Sequence, residues 1–369
     1  MSDSLPQALL QQAKVRPDRI ALRYKQLGIW QTRNWGELAQ EVSRLAAGLR
    51  QLGLDAGHSL IILSDARAEA LLLTLAAHWV GASVSLLDPS TDNREALSTL
   101  APTFAVAEGQ GAVLQLRAVS VNNVVVLDRR GLDDSAADNL IDYDALLQHA
   151  PIGPLESFGS APVPAFLFTQ VEVDAAHQTV VEFSHADLLL GAQQLVDRQG
   201  LSERDQALAA RVFAASGQAR YLLAPWLVAG FCLNFPEALS TRDNDRRELG
   251  PTLVLGTRES YARLERWAHE RLPLPGTFSH GLYQWAMAPA PGVVQRWLGH
   301  WLIRRPLLDV LGMTRLSKPL LVGDALTAQS EAFFAALGIR PRALGSSAPV
   351  LAASPLLHTP EPFLMSASS

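Results

Sequence analysis

Catalysis needs reactive side chains at spacings that let them meet, and few residues of this chain satisfy that. Ser184 and His185 supply a nucleophile and a base, but as immediate neighbours they rarely point at each other. Ser184 also stands just ahead of a helix-like run, Ala186 to Arg198, where a serine oxygen can cap the first turn. The nine histidines form no His-x-x-x-His pair and no Cys/His cluster, so no zinc-ligand pattern is present. Asp133-Asp134 and Asp243-Asn244-Asp245 lack the calcium-loop spacing and read as solvated turns. Cys232, the only cysteine, lies in an apolar run and reads as inert core.

The elements that would position these residues alternate in type. Gln40 to Leu52 carries apolar residues at helical spacing and stops at Gly53. Leu60 to Leu63 reads as a buried strand, Ala66 to Val80 as a helix and Ala82 to Leu87 as a strand. Arg94 to Leu100 continues as helix, with Phe104–Ala107 and Val124–Leu127 as strands. A proline-rich stretch, Pro151 to Pro164, marks a boundary. Beyond it strands are expected at Ala165–Phe168, Thr179–Phe183, Leu253–Leu255 and Leu320–Val322, and a helix from Gln329 to Leu337. The pattern predicts an α/β fold of two layered subdomains, residues 1–160 and 161–345, with mostly parallel sheets covered by helices. Residues 346–369 read as a Ser/Ala/Pro-rich tail.

Composition excludes several classes. Hydrophobic residues make up 48% and charged residues 18%, a globular balance rather than a disordered one. A net charge of −5 with mixed signs argues against a nucleic-acid surface. One cysteine allows no intramolecular disulfide, so a reducing cytoplasm is the expected setting. The opening residues lack a basic region followed by an apolar core, so no secretory signal is read there. Ala70–Leu87 and Tyr221–Phe235 are interrupted by polar residues, glycine or proline and read as helix-plus-strand pairs rather than spans.

Several segments, in order, resemble the adenylate-forming (AMP-binding) superfamily, and within it the long-chain acyl-CoA synthetases. Ala8 to Gly53 is similar to the family's entry segment, with Trp30-Gln31-Thr32-Arg33-Asn34-Trp35 before Glu37-Leu38. Leu60 to Pro89 resembles its strand, apolar helix, glycine, strand and proline order. Pro251 to Gly256 followed by Tyr261-Ala262-Arg263-Leu264 resembles a stretch of the long-chain branch. Val322-Gly323-Asp324-Ala325-Leu326 followed by Phe333 to Ile339 resembles the segment ahead of the adenine- and acyl-contacting loop. The fold this implies is that of the N-terminal domain of acyl-CoA synthetases.

The motifs that would carry the family's chemistry fail. Its Gly-, Ser- and Thr-rich phosphate loop falls between a strand and a Ser-His pair, which here are Phe168-Thr169 and Ser184-His185. The interval contains Gln170, Glu172 and Asp174 and no glycine, and it is about two residues longer. Counting back from Ser184 puts Val180 at the family's glycine and Thr179 at its lysine. A phosphate cradle needs backbone N–H groups turned inward, which glycine permits by adopting positive φ and valine resists. Each acidic side chain about 6 Å from a phosphate charge costs roughly 3 kcal/mol at an effective dielectric near 20. Further on, the family's Tyr-Gly-x-Thr-Glu-like run is Leu344-Gly345-Ser346-Ser347-Ala348, and alanine offers no oxygen to magnesium. The sequence also stops about where the family's ribose-binding aspartate and C-terminal catalytic lysine would follow, so activity would require those parts from another chain.

The expectation is therefore a catalytically inactive relative without ATP or magnesium as cofactors, acting as a binding or scaffolding module. A fatty acyl ligand, a protein partner and a homo-oligomer are the partners considered, and nucleic acid is not. The alternative is an active ligase, or an adenylate-forming subunit completed by another chain. The resemblance places Arg211, Gly323, Asp324, Ala325 and Gly345 as candidate acyl-channel positions; Arg211, near a family histidine, also reads as a solvent-facing side chain. Trp297 to Leu311 alternates Trp301, Leu302, Leu307 and Leu308 with His300, Arg304 and Arg305. It reads either as an amphipathic helix packed on its own domain or as a peripheral membrane contact.

Overall fold

The computed structural model describes residues 4–121, 123–132, 140–155, 164–171, 178–209, 216–288 and 292–344. Ser4 accepts a hydrogen bond from the Gln7 N–H and opens helix α1 (Leu5–Val15). A hairpin follows, β1 (Ile20–Gln26) and β2 (Ile29–Asn34), turned by Leu27 and Gly28, both at positive φ. Helix α2 (Trp35–Gln51) begins five residues before the periodic stretch at Gln40. A reciprocal capping box explains this: Asn34 Oδ1 accepts from Glu37 N at 2.7 Å, and Glu37 Oε2 accepts from Asn34 N at 2.9 Å.

Strand and helix then alternate as expected. The order is β3 (Ser59–Leu63), α3 (Ala68–Trp79), β4 (Ser83–Leu87), α4 (Arg94–Leu100), β5 (Phe104–Ala107), α5 (Gln110–Arg117), β6 (Asn123–Val126), β7 (Leu140–Asp142) and α6 (Tyr143–Leu146). A second hairpin comprises β8 (Pro164–Val171) and β9 (Gln178–Ser184), followed by α7 (His185–Gln199) and β10 (Gln206–Leu208). Helix α8 (Ser216–Gln218) passes through a π turn, Ala219–Leu223, into α9 (Ala224–Ala229). The remainder is β11 (Cys232–Phe235), α10 (Arg242–Leu249), β12 (Leu253–Gly256), α11 (Arg258–His269), α12 (Phe278–Ala286) and α13 (Val293–Gly299). A π turn, His300–Arg304, leads to α14 (Arg305–Val310), β13 (Lys318–Val322), α15 (Ala328–Ala336) and β14 (Arg342–Leu344).

These strands form two seven-stranded sheets, ordered β7-β6-β5-β3-β4-β8-β9 and β14-β13-β12-β10-β11-β1-β2. Only the hairpins β1–β2 and β8–β9 are antiparallel, and each sits at one end of a sheet. The sheets do not divide at residue 160: β1 and β2 join strands from the later half, and β8 and β9 join strands from the earlier half. Parallel pairing to β11 and to β4 draws each hairpin across, because it buries a strand whose neighbours are already covered.

Period-two alternation assigns each strand's side chains to a layer. Leu60 and Ile62 enter a core shared with helix residues and with Leu22, Ala207, Leu233 and Leu253 of the other sheet. Ile61 and Leu63 face a separate cluster under α4 and α5. Leu320 joins the shared core while Leu321 packs with Tyr261, Phe333 and Phe334. The helices between the sheets, chiefly α1, α2, α3, α7 and α9, therefore cover apolar surface on both sides. All of α3 except Glu69 is buried, and Ala70 to Trp79 is accordingly apolar but for Thr74 and His78, which bond the carbonyls of Ala70 and Ala165.

Two contacts sit at the centre of that layer. Trp35 and Trp226 stack with ring centroids 4.7 Å apart, and the Trp226 indole N–H donates to the Ala21 carbonyl at 3.0 Å. His78 and His185 meet edge to face at 5.0 Å. The His78 Nε2 lies 2.8 Å from the Ala165 carbonyl, and His185 Nδ1 accepts from Leu5 N at 3.4 Å. Burial, with His185 alongside, drives the His78 imidazole well below its ordinary range, and burial lowers His185 to about 4.

Trp226→Ala should remove both the stack and the hydrogen bond and cost about 3–5 kcal/mol, read from a shifted urea midpoint. The histidines set a pH dependence. Both are neutral when folded, whereas the unfolded chain protonates them near pH 6.5, so stability is full above that pH. It should fall as pH drops toward 4, by up to about 1.4 kcal/mol per pH unit for each histidine. Urea melts between pH 7.5 and 4.5 check this; a midpoint indifferent to pH would contradict the assignment.

Candidate nucleotide site

Of the positions that the sequence resemblance sets in a phosphate loop, the described ones lie on strands β8 and β9. Phe168 pairs with Val181, Thr169 with Val180 and Gln170 with Thr179, and the ladder closes with Val171 and Gln178. The hydroxyl of Thr179 donates to the Gln170 carbonyl at 3.4 Å. Thr179 and Val180, which stand for the family's lysine and glycine, are thus regular strand residues with exposed side chains. In such a ladder, backbone groups are aimed at the neighbouring strand or outward along a pleat, never in succession at one point, and a cradle needs the latter. Glu172 and Asp174 lie outside the described residues.

The core fixes this register. Phe166 and Phe168 face inward from β8 with rings stacked at 5.7 Å, and Phe183 meets Phe168 edge to face at 5.8 Å. A one-residue slip would send both phenylalanines to the opposite face. At the end of β9, Ser184 caps α7: its oxygen accepts from Asp187 N at 3.1 Å and donates to Asp187 Oδ2 at 2.7 Å. His185 is turned into the core against His78, so the pair is not a nucleophile and base.

Of the candidate acyl positions, Gly323, Asp324 and Ala325 are described and lie together just after β13. Gly323, at φ +84°, turns the chain away from β13. Asp324 is 74% exposed and pairs with Arg258 at 3.3 Å. The Arg258 Nε donates to the carbonyl of Ala325, itself exposed, at 2.7 Å. Arg211 and Gly345 lie outside the described residues.

Sequence reasoning missed a charged cluster beneath the second sheet. Asp243-Asn244-Asp245, expected as a solvated turn, forms the first turn of α10. The buried Asp245 carboxylate accepts from Lys25 Nζ at 2.8 Å, from Thr241 Oγ1 at 2.6 Å and from Glu237 N at 3.0 Å, tying α10 to β1. Asp243 meets Arg246 at 3.0 Å and Arg263 at 2.7 Å. These cations hold its carboxyl below the usual range against the opposing effect of burial. Burial lowers the Arg246 guanidinium to about 10. The signal was available in the Asp243–Arg246 spacing, one helical turn apart.

A cavity of about 50 Å³ adjoins this cluster, lined by Leu208, Gln218, Arg246, Leu255, Tyr261 and Arg263 among others. Pockets that hold small organic ligands are roughly 300–1,000 Å³, so this one is too small for an acyl chain. Among the described residues, no group of three or more His, Cys, Asp or Glu is arranged to hold a metal ion.

Comparison with known proteins places this geometry. A family model for AMP-binding enzymes matches residues 9–146. No match is found among curated protein sequences. Among solved structures, the anthranilate CoA ligase AuaEII in complex with anthranoyl-AMP matches with a TM-score of 0.68 at 17% identity. That match covers 92% of this chain and 58% of the ligase. The Mycobacterium smegmatis MbtA apo structure matches with a TM-score of 0.65 at 17% identity, over 91% of this chain and 55% of MbtA. The luciferase-like enzyme of the nonluminescent mealworm Zophobas morio gives a TM-score of 0.66 at 11% identity, over 92% of this chain and 71% of that enzyme. The chain thus spans little more than half of AuaEII and of MbtA. At these identities the structures establish the fold alone, that of the N-terminal domain of adenylate-forming enzymes, and the resemblance in sequence to AMP-binding enzymes covers residues 9–146, less than half of the chain.

Proposed function

We propose that this chain is a catalytically inactive relative of the long-chain acyl-CoA synthetases, serving as a binding or scaffolding module for a fatty acyl chain or a protein partner. The observation that carries the reading is the placement of Thr179 and Val180 in a regular antiparallel ladder, where the family has a lysine and a glycine. AuaEII is a ligase captured with an acyl adenylate. Holding such a phosphate here would require a cradle from a connection, residues 172–177, that contains no glycine and carries Glu172 and Asp174. Loss of a lysine attraction and gain of two like charges each change the phosphate's energy by roughly 3 kcal/mol in the same direction. The long-chain affiliation rests on the segment Pro251–Leu264.

ATP–pyrophosphate exchange by the purified chain, offered a panel of fatty acids with magnesium, is expected to stay at the level of a protein-free control. Robust exchange would replace this reading with an active ligase. Native mass spectrometry of the same preparation separates the two forms of the module: a bound mass in the fatty-acid range points to an acyl ligand, and a bare or protein-bound mass to scaffolding.

A further inference from the structure

The helical excursion between α11 and β13 carries a surface that the other described residues do not cover. Residues 271–310 contain Arg271, Arg296, Arg304 and Arg305 and one carboxylate, Asp309, in a chain whose net charge is −5. Helix α13, the π turn and α14 run on without a break over residues 293–310, about 27 Å at 1.5 Å per residue.

One side of this rod is anchored. Gly299 is buried against Ala286, where a Cβ would come within 3.1 Å of the alanine's own. Arg304 donates to the Ala286 carbonyl at 2.8 Å, and Leu307 and Leu308 pack against the cluster around Tyr261 and Phe334. The other side is open: Val293, Trp297 and Trp301 recur every four residues and are 84%, 64% and 50% exposed. Val294 and Leu302 widen the strip, and α12 adds the exposed Phe278. Among the polar groups interleaved with these, Gln295, Arg296 and His300, the charged one is an arginine, and Arg305 follows one turn after Trp301. Arg296 is exposed, and the Arg305 guanidinium lies 4.5 Å from the centre of the Trp301 ring.

We propose that this face docks on the surface of an anionic lipid bilayer. The rod lies in the plane of the interface, with Trp297 and Trp301 at headgroup depth and Arg296 and Arg305 on lipid phosphates. The charge pattern selects this occupant over a protein groove: four arginines against the single carboxylate of Asp309 across residues 271–310 leave a net cationic strip inside an acidic protein, complementary to a negative surface. Among the described residues no helix is long and apolar enough to cross a membrane, so the contact is peripheral. The surface is remote in sequence from the β8–β9 hairpin, and it stands whether or not the chain adenylates anything.

The test is flotation of the full chain with vesicles of phosphatidylcholine alone and of phosphatidylcholine mixed with phosphatidylglycerol. The chain should partition on the order of tenfold or more in favour of the anionic vesicles, and less as salt rises. W297A/W301A and R296E/R305E should each lower that partition by on the order of tenfold or more, with thermal melts showing that the variants remain folded. Equal partition on both vesicle types overturns the proposal, as does wild-type partition by either folded variant. So does a self-associated or protein-bound state that the tryptophan variant breaks while vesicle binding is absent.

Discussion

The shared core between the two sheets is the constraint on which the rest of the molecule depends. Helices such as α3 are apolar on all faces because each meets a sheet on one side and other helices or the second sheet on the other. Removing that layer would expose both sheets at once, since Leu60, Val84 and Phe166 on one side and Leu22, Leu233 and Leu253 on the other belong to a single cluster. The same core reaches into the hairpin through Phe166 and Phe168. Their burial decides which residue of β8 faces which residue of β9, and so determines that Thr169 and Gln170 stand opposite Val180 and Thr179. The character of the candidate nucleotide site is thus inherited from the packing of the strand residues beside it.

Much of the fold was legible because buried parallel strands and their helices leave a strong pattern. Arg94–Leu100 and Phe104–Ala107 fall where their apolar spacing puts them. The start of α2 was not legible from hydrophobic spacing, since the Asn34–Glu37 capping box, a local polar device, extends the helix through Trp35. The assignment of hairpins to sheets was also hidden. Pairing of β1 with β11 and of β4 with β8 spans long sequence separations, and nothing in a strand's own composition names its partner.

The site was legible chiefly as a departure from a pattern. Thr179 and Val180 depart from the expected pattern by residue type alone, and the structure places both in a regular antiparallel ladder. The arginine cluster around Asp243 escaped notice because three acidic or amide residues in a row resemble a solvated turn. Only the approach of Lys25 from β1 and Arg263 from α11 shows the carboxylates to be structural. Charge near α10 thus fastens that helix to β1 and α11, whereas α13 and α14 carry Arg296, Arg304 and Arg305 against the one carboxylate of Asp309.

The most direct measurement of the central claim is the amide signal of Thr169, Gln170, Thr179 and Val180 while magnesium and ATP are added to the labelled protein. A closed β ladder predicts chemical shifts that do not move at saturating nucleotide. Saturable shifts at these four amides, with an ATP affinity typical of an adenylating enzyme, would contradict the account.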